Sequence, residues 1–413
     1  MDRLILHSDL NNFYASAEIS RNRSLRGLPI AVAGDVEERH GIVLAKSYEA
    51  KRCGVKTGEA LWQARAKCPD IRFIPPDFPF YAELSARVRE IYLSYTDMVE
   101  SFGVDECWLD VTGSHKLFAP SFLDPFNGAC AIAEEIRRRV KRETGLTVSV
   151  GVSYNKTFAK LASDMRKPDA VTAIPRESFR ETVWSLPIEE LLFVGGKTAQ
   201  KLKLYGIHTI GALATADESF VRLLLGKRGV ELRRAARGEE SSPVLRRREV
   251  PQAKSVGCGT TTRSDLVRDE DMRRVLYSLC ENVSSRLREQ KLMCRTVRLG
   301  IREYDLYTFE RQTTLTEATR TAQAIFGAAY ALLCANRRDD RPIRSLTVQA
   351  SSIESEEGSQ MTMFPHSEHE RREELESCID ELRKKYGRGI MKWGNESPKS
   401  PRAPIFAPGA VRL

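Results

Sequence analysis

The sequence lacks several features that would place it in a specialised class. It has no run of about 18 apolar residues, the length that a membrane-spanning helix needs, and no N-terminal layout typical of a secretory signal. Its nine cysteines include no Cys-x-x-Cys pair, which argues against a disulfide framework and a cysteine-ligated zinc site. Neither a solenoid-type repeat nor a low-complexity tract occurs. We therefore expect a cytoplasmic protein with reduced thiols and no membrane segment.

Length and charge narrow the class further. The chain has 413 residues, which suggests several domains at about 100–200 residues per domain. Its formal net charge is +9, and residues 245–350 contain 20 basic against 13 acidic side chains. A positive excess concentrated in one segment fits binding to a polyanion such as nucleic acid.

The first 166 residues alternate between strand-like and helix-like apolar patterns. The predicted strands are 4–8, 98–102, 107–111 and 147–152, and the predicted helices are 81–95 and 130–143. The first strand ends at Asp9, and residues 103–106 form a tight turn between the second and third strands. This order predicts an antiparallel sheet with helices on one face.

The rest of the chain divides into three parts. Residues 167–237 look helical, with frequent glycines between the apolar stretches. A second α+β unit follows the segment 252–262, with helices near 268–290 and 319–334 and strands near 296–302, 307–313 and 343–350. The composition then becomes polar, which predicts a flexible tail that carries a charged surface helix over 369–386.

Three acidic residues stand where they could meet. Asp9 lies at a strand end, and Asp105 and Glu106 are adjacent in the turn. If the first strand lies beside that hairpin in one sheet, the three carboxylates converge. Phosphoryl transfer commonly uses two magnesium ions held about 4 Å apart by carboxylates. The pattern therefore favours a two-metal phosphoryl-transfer site.

Longer motifs around these acids resemble those of a known family. The segments His7–Ser16, Ala45–Val55 and Val104–Thr112 resemble successive motifs of Y-family DNA polymerases, in the family's order and at similar spacing. The similarity continues through Asn155–Asp164 and, more weakly, Lys254–Gly257, so that it covers roughly residues 1–350. Within that family, the sequence resembles the bacterial DNA polymerase IV branch.

The resemblance implies a multidomain α+β fold of the right-hand polymerase type. It implies a ferredoxin-like palm, small fingers, a helical thumb and a separate α+β little finger. The expected boundaries are palm 1–18 and 77–166, fingers 19–76, thumb 167–240, basic linker 241–252, little finger 253–352 and flexible tail 353–413. The implied activity is distributive, low-fidelity translesion synthesis, in which deoxynucleotides join a primer end on a DNA template.

The resemblance also implies roles for individual residues. The metal ligands, for two Mg²⁺ ions, are Asp9, Asp105, Glu106 and the backbone carbonyl of Leu10. The expected nucleotide contacts are Tyr14 as steric gate against a 2′-hydroxyl, together with Phe13, Tyr48, Lys51 and Lys160. Three residues depart from the common pattern: Asn11 replaces a second Asp, Lys51 replaces Arg, and Gly103 replaces Ser. The departures leave every metal-binding acid in place.

Contacts to DNA and to a partner protein are expected further along the chain. Gly195, Gly196 and Lys197 open a helix in a glycine turn like that of a helix-hairpin-helix, where backbone N–H groups bind phosphate. Lys254 and Ser255 begin the basic unit, which we expect to contact the DNA backbone. Gln360, Met361, Thr362, Met363 and Phe364 resemble the short bacterial peptide that binds the sliding clamp.

Two other functions are compatible with parts of this pattern. A catalytically silent relative would bind DNA as an accessory of a mutagenesis complex, but it would not need the complete set of acids and lysines. A different two-metal phosphotransferase, such as a nucleotide cyclase, would share the acids but would need neither the basic unit nor the glycine turn. We expect a monomeric enzyme that binds primer-template DNA and deoxynucleoside triphosphates.

Overall fold

The chain divides into two compact units. The computed structural model describes residues 2–34, 41–246, 249, 253–338, 341–355, 367–387 and 390–391. Unit 1 contains residues 1–34 and 42–250, and unit 2 contains the residues from 251 onward that are described. None of the described helices is long and apolar enough to cross a membrane. The nine cysteines, all described, are free of disulfide bonds, as predicted.

Unit 1 is built on two sheets. Its strands are β1 (Ile5–Leu10), β2 (Ile30–Ala33), β3 (Val43–Lys46), β4 (Arg72–Ile74), β5 (Val99–Ser101), β6 (Glu106–Asp110), β7 (Val148–Ser153) and β8 (Val171–Ala173). The larger sheet has the order β5-β6-β1-β7-β8, and the smaller one has the order β3-β2-β4. All pairs in the larger sheet are antiparallel except β7 with β8. The predicted antiparallel sheet is thus confirmed, with one parallel edge strand added.

The helices of unit 1 surround these sheets. They are α1 (Phe13–Arg21), α2 (Tyr48–Arg52), α3 (Leu61–Lys67), α4 (Phe78–Leu93), α5 (His115–Phe118), α6 (Pro125–Thr144), α7 (Lys156–Met165), α8 (Phe179–Val183), α9 (Gly196–Leu204), α10 (Ile210–Thr215), α11 (Glu218–Leu225) and α12 (Lys227–Ala236). Helix α6 begins five residues before the predicted start because Asp124 caps it, accepting hydrogen bonds from the N–H groups of Phe126 and Asn127.

Helices cover both faces of the larger sheet, so the prediction of helices on one face was wrong. Leu4, Leu6 and Leu10 point into the main core beneath α4 and α6. On the alternate face, Ile5 packs against Ala159 of α7. Helix α7 approaches closely because β7 carries Gly151, where a Cβ atom would lie only 1.9 Å from the carbonyl oxygen of Ala159. The face with Asp9 is therefore covered by α7.

The segment predicted to be helical from residue 167 begins differently. Its first regular element is the strand β8, which pairs with β7 and extends the larger sheet. A three-residue strand is too short to show an alternating pattern, and this is why the sequence did not indicate it. The helices α8 to α12 then form an apolar cluster around residues such as Leu202 and Leu213, which Phe158 of α7 also joins.

Unit 2 is an antiparallel sheet with helices on one face. Its elements are β9 (Ser255–Leu266), α13 (Asp269–Glu289), β10 (Leu292–Glu303), β11 (Thr308–Thr319), α14 (Ala322–Asn336), β12 (Ile343–Ser355) and α15 (Ser367–Tyr386). The strand order is β11-β10-β12-β9. Alternate residues such as Leu299 and Val348 are buried under α13 and α14. The predicted α+β unit is confirmed, with strands several residues longer than the patterns indicated.

The helix α15 confirms the surface helix predicted in the tail, but it is not part of a free arm. Arg288 of α13 forms ion pairs with Glu376 and Asp380, and Arg383 pairs with Glu281. Ile379, which is 9% exposed, faces the same side. This part of the predicted flexible tail therefore belongs to the folded unit 2.

Candidate active site

Strand pairing brings the three acids to one edge of the larger sheet. In the register between β1 and β6, Asp9 lies directly opposite Glu106. The N–H of Leu10 donates a 3.0 Å hydrogen bond to the carbonyl oxygen of Asp105, so the turn closes against the end of β1. The acids thus converge in the way that the sequence pattern predicted for adjacent strands. Gly103 leaves room for this turn, since a Cβ there would lie 3.3 Å from Oδ1 of Asp105.

Two lysines from the chain after β7 lie on these acids. The Nζ atom of Lys160 lies 3.1 Å from Oδ2 of Asp9 and 3.1 Å from Oε1 of Glu106. Lys167 places its Nζ 2.8 Å from the same Asp9 oxygen and 2.8 Å from Oδ1 of Asp164. Burial acts to lower the pKa of both lysines, but the surrounding carboxylates outweigh it and raise the pKa. Both lysines are therefore cationic at neutral pH.

The three acids fit a divalent cation, and in this structure the ammonium groups of Lys160 and Lys167 pair with the carboxylates of Asp9 and Glu106. Among the residues that the structure describes, no three His, Cys, Asp or Glu side chains are already arranged around a metal position. Burial, together with the negative charges of Asp9 and Glu106, raises the pKa of Asp105 to about 6. Oε2 of Glu106 is buried without a hydrogen-bond partner. A divalent cation would relieve this crowding, so these residues fit one.

His7 is a buried neighbour to which the sequence assigned no role. Its Nδ1 lies 2.9 Å from Oγ of Ser163, and its Nε2 lies 3.5 Å from Oε2 of Glu106. Complete burial, helped by the positive charge of Lys160, lowers its pKa to about 3. The ring is therefore neutral and does not compete with a cation for the carboxylate of Glu106.

Tyr14 forms one side of the same region. Its ring stacks on that of Tyr81, with centroids 4.3 Å apart and planes 16° from parallel. The hydroxyl of Tyr81 donates a 2.7 Å hydrogen bond to Glu18, and this bond holds the Tyr81 ring in place. Phe13 is only 4% exposed and packs in the main core beside Tyr14. Its nucleotide contact stays a prediction. Tyr81 was missed because its spacing within α4 resembles that of an ordinary core residue.

The helix α2 presents the remaining predicted nucleotide residues. Ser47 caps it by accepting a hydrogen bond from the N–H of Ala50. Burial and the charge of Asp9 raise the pKa of Tyr48 to about 12, so its hydroxyl keeps its proton and can donate. Lys51 is exposed, with its Nζ 5.9 Å from the centroid of the Tyr48 ring. Tyr48 and Lys51 thus form one pair on α2.

The predicted DNA-binding residues lie in both units. In unit 1, Gly195 is the N-cap of α9, and a Cβ at Gly195 or Gly196 would meet no atom within 4 Å. Lys197 is exposed in the first turn. In unit 2, Lys254 is exposed, and Ser255 begins β9 and accepts a 2.9 Å hydrogen bond from Gln349. The predicted clamp peptide, residues 360–364, lies outside the described residues.

Asn11, one of the three departures, connects the site to the chain that carries Lys167. It is 2% exposed, its Nδ2 donates to Oγ of Ser149 at 2.9 Å, and its Oδ1 accepts from the N–H of Asp169 at 2.9 Å. An amide supplies both the donor and the acceptor that these two partners need. Asn11 therefore holds the segment that places Lys167 on Asp9.

We expect Asn11→Leu to lower the free energy of unfolding by about 2 kcal/mol, because two buried polar groups would lose their partner. Urea denaturation followed by tryptophan fluorescence measures this change. The matched control is Asn127→Leu, since Asn127 is exposed, and it should shift the midpoint little. Equal midpoints for Asn11→Leu and the parent would show that the two hydrogen bonds contribute nothing to stability.

Comparisons with known proteins agree with this geometry. Residues 8–164 match the impB/mucB/samB family, and residues 253–363 match its C-terminal domain. The chain is 44% identical over 399 residues to a DNA polymerase IV from Acetivibrio thermocellus, covering 95% of this chain and 98% of the relative. It is 37% identical over 395 residues to DNA polymerase IV 1 of Bacillus subtilis, covering 95% and 92% of the two chains.

A solved structure supports the fold. A Y-family DNA polymerase chimera covers 85% of this chain and 99% of its own length, with a TM-score of 0.74 at 21% identity. The predicted multidomain α+β fold of the right-hand polymerase type is thereby confirmed. Because the family match and the curated relatives both extend over most of the sequence, the chain belongs to the Y family of DNA polymerases, in its bacterial DNA polymerase IV branch.

Proposed function

We propose that this chain extends a DNA primer at the site formed by Asp9, Asp105 and Glu106, using two Mg²⁺ ions. Its family makes it a DNA-directed DNA polymerase of the translesion type, which uses primer-template DNA, deoxynucleoside triphosphates and a divalent metal. The observation that carries the site assignment is the β1–β6 register, which sets Asp9 opposite Glu106. The silent-accessory alternative has no support in the comparisons.

The donor set suits magnesium. Mg²⁺ prefers carboxylate, carbonyl and water oxygens, and Asp9, Asp105, Glu106 and the backbone carbonyl of Leu10 supply such atoms. When bound, the two ions would lower the pKa of the primer 3′-hydroxyl and neutralise the charge of the triphosphate. The low pKa of His7 keeps a competing positive charge away from Glu106.

The lysines now resting on the acids are placed to bind the triphosphate. Lys160 and Lys167 each pair with Asp9, which would be neutralised by metal in the active complex. Released from the carboxylate, their ammonium groups would turn to the phosphate oxygens, for which lysine is a mobile point charge. Tyr48 and Lys51 would contact the same phosphates from α2. Lys167 is the one member of this group that the sequence did not indicate.

Sugar selection is assigned to the stacked pair of tyrosines. Tyr81 holds the Tyr14 ring at a stacking distance, and Glu18 anchors Tyr81 through its hydroxyl. A ring held this way would lie beneath the deoxyribose and exclude a 2′-hydroxyl by contact. The arrangement needs no hydrogen bond to the sugar, so it rejects ribonucleotides by shape.

DNA binding is assigned to the α9 turn and to the open face of the unit 2 sheet. That face carries small and polar side chains, among them Gly257 and Gly259 on β9 and Thr347 and Gln349 on β12. Small side chains let a DNA backbone approach the strands closely. Binding of this kind is salt-dependent and largely independent of sequence. This is what a polymerase that tolerates damaged templates needs.

The expected division into palm, fingers, thumb, linker and little finger is kept as part of the proposal, with two boundaries moved. Strand β8 belongs to the larger sheet, so the thumb would begin after Ala173, and β12 extends the little finger to Ser355. A monomeric state and a cytoplasmic location are also kept. The separate apolar core around β2–β4 supports treating the fingers as distinct from the larger sheet, whereas the core of α8–α12 is shared with Phe158 and Leu161 of α7.

Primer extension on an undamaged template tests the proposal directly. With Mg²⁺ and four deoxynucleotides the chain should extend the primer, and removing the metal with a chelator should stop extension until Mg²⁺ is restored. The rate should rise with metal concentration more steeply than first order if two ions take part. Extension that continues in excess chelator would contradict the metal site.

The clamp peptide is proposed from sequence alone. Deleting residues 360–364 should lower the number of nucleotides added per binding event when a bacterial sliding clamp is present, because a Gln, Met and Phe peptide suits pocket binding. Without the clamp the deletion should change nothing. An equal loss in both assays would point to a folding defect and would remove the clamp assignment.

A further inference from the structure

Phe193 is a large, exposed aromatic residue at a turn position that glycine usually occupies: it is the third residue of the turn closed by the 3.0 Å hydrogen bond from the N–H of Val194 to the carbonyl oxygen of Leu191. Its backbone has a φ of 70°, in the left-handed region that a residue with a bulky side chain rarely adopts. Its side chain is 56% exposed, so burial does not compensate for the strain. It stands two residues before Gly195, the N-cap of α9. A residue with a Cβ atom is strained at this turn position, where glycine would not be.

The contacts that hold Phe193 are aromatic and cationic. Its ring meets that of Phe102 edge to face, with the centroids 6.1 Å apart and the planes at 85°. The guanidinium of Arg228 lies 4.5 Å from the centroid of the Phe193 ring. Phe102 is itself 41% exposed, so the pair forms a contact at the protein surface. Geometries of this kind are favourable beyond the area they bury.

Phe102 connects this contact to the acids. Its N–H donates a 2.9 Å hydrogen bond to the carbonyl oxygen of Glu106. Its ring packs 4.7 Å from that of Trp108, which in turn lies 5.2 Å from His7. Trp108 is nearly buried and donates to the carbonyl oxygen of Lys156 at 3.0 Å. Phe102 is therefore held firmly beside Glu106.

We propose that Phe193 and Phe102 form an aromatic bridge that sets the position of the Gly195–Gly196 turn relative to Glu106. Phe193 is a positioning residue: it keeps the backbone N–H groups that would bind a DNA phosphate at a constant distance from the metal-binding acids. The turn sets the positive φ of Phe193, and the side chain at this turn position meets the ring of Phe102. This inference rests on the proposed function, because it assumes that the turn binds DNA and that Glu106 binds metal.

We expect loss of the bridge to lower the rate of nucleotide incorporation and to leave the affinity for DNA nearly unchanged. Without it the turn can still bind DNA, but the primer end is no longer held at a constant place over the acids. Misplacement of a reacting group by about 1 Å can lower a rate by about a hundredfold, so a partial loss of positioning should cost about tenfold. The backbone itself should benefit when glycine takes the position, since glycine adopts positive φ without strain.

The experiment compares single-nucleotide incorporation by the parent with Phe193→Gly, Phe102→Leu and the double variant. We expect each single variant to be about tenfold slower at saturating DNA and nucleotide, with dissociation constants for DNA within about twofold of the parent. The double variant should be no slower than either single variant, because both changes remove one contact. Phe193→Tyr keeps the ring and should retain the parent rate. Phe122→Ala, at another exposed phenylalanine, is the matched control.

Thermal unfolding separates positioning from a folding defect. Phe193→Gly should melt at or above the temperature of the parent, because the strain at this residue is relieved. A parent rate in Phe193→Gly, a loss confined to DNA affinity, or single losses that multiply in the double variant would each overturn the bridge while leaving the polymerase assignment intact. A parent chain that does not extend primers would overturn the proposed function, and the bridge with it.

Discussion

Primer extension by the Asp105→Ala variant is expected to fall by at least about a thousandfold, which corresponds to about 4 kcal/mol of lost transition-state stabilisation. Asp105 is one of three carboxylates that meet where β1 ends and β6 begins. Burial and the negative charges of Asp9 and Glu106 oppose ionisation of the Asp105 carboxyl. Keeping all three carboxylates ionised is unfavourable unless a cation binds among them. Removing the carboxylate removes a metal ligand from the reacting centre.

Affinity for primer-template DNA should stay within about twofold in the same variant, because phosphate contacts from the α9 turn and from unit 2 would supply most of the binding. Fluorescence anisotropy with a labelled primer-template measures it beside the extension assay. Asp105→Asn is a second variant, which preserves the shape of the side chain next to Gly103. The matched control is Asp97→Ala, since Asp97 is a surface acid paired with Arg246. Turnover retained in both Asp105 variants would refute the metal-site assignment.

The acids themselves were predictable from sequence because local patterns located them. The strand predicted to end at Asp9 follows from a short apolar run, and the turn that holds Asp105 and Glu106 follows from the two strand-like segments on either side of it. What the pattern did not contain was the register, in which Asp9 faces Glu106. Register depends on which strands pair, and that is settled by packing between segments about 100 residues apart.

The residues missed by sequence reasoning were brought in by such long-range contacts. Lys167 reaches Asp9 because Asn11 holds Asp169, 158 residues along the chain. Tyr81 looked like one more apolar position in a helix, and only its stacking on Tyr14 distinguishes it. Helix α7 can pack on the second face of the sheet because residue 151 is glycine. This requirement is visible only when Ala159 is known to lie against Gly151. Spacing along one segment could not show any of these contacts.

The ratio of deoxyribonucleotide to ribonucleotide incorporation should fall by about a hundredfold in the Tyr14→Ala variant, mainly through faster ribonucleotide incorporation. Exclusion by contact with one ring has about this magnitude, as for other cases in which a pocket rejects a substrate by a single group. The rate with deoxynucleotides should change little, because Tyr14 is neither a proposed metal ligand nor a proposed phosphate contact. Kinetics of single-nucleotide addition with each sugar measure the ratio.

Two further variants distinguish the ring from its support. Tyr14→Phe preserves the ring and should select sugars as the parent does, because the proposed exclusion does not use the hydroxyl. Tyr81→Ala leaves Tyr14 in place but removes the ring stacked against it, so selection should weaken to an intermediate ratio. If Tyr14→Ala kept the parent ratio, Tyr14 would not be the gate. If only Tyr81→Ala lost selection, the gate would lie on α4, and Tyr14 would serve as its support.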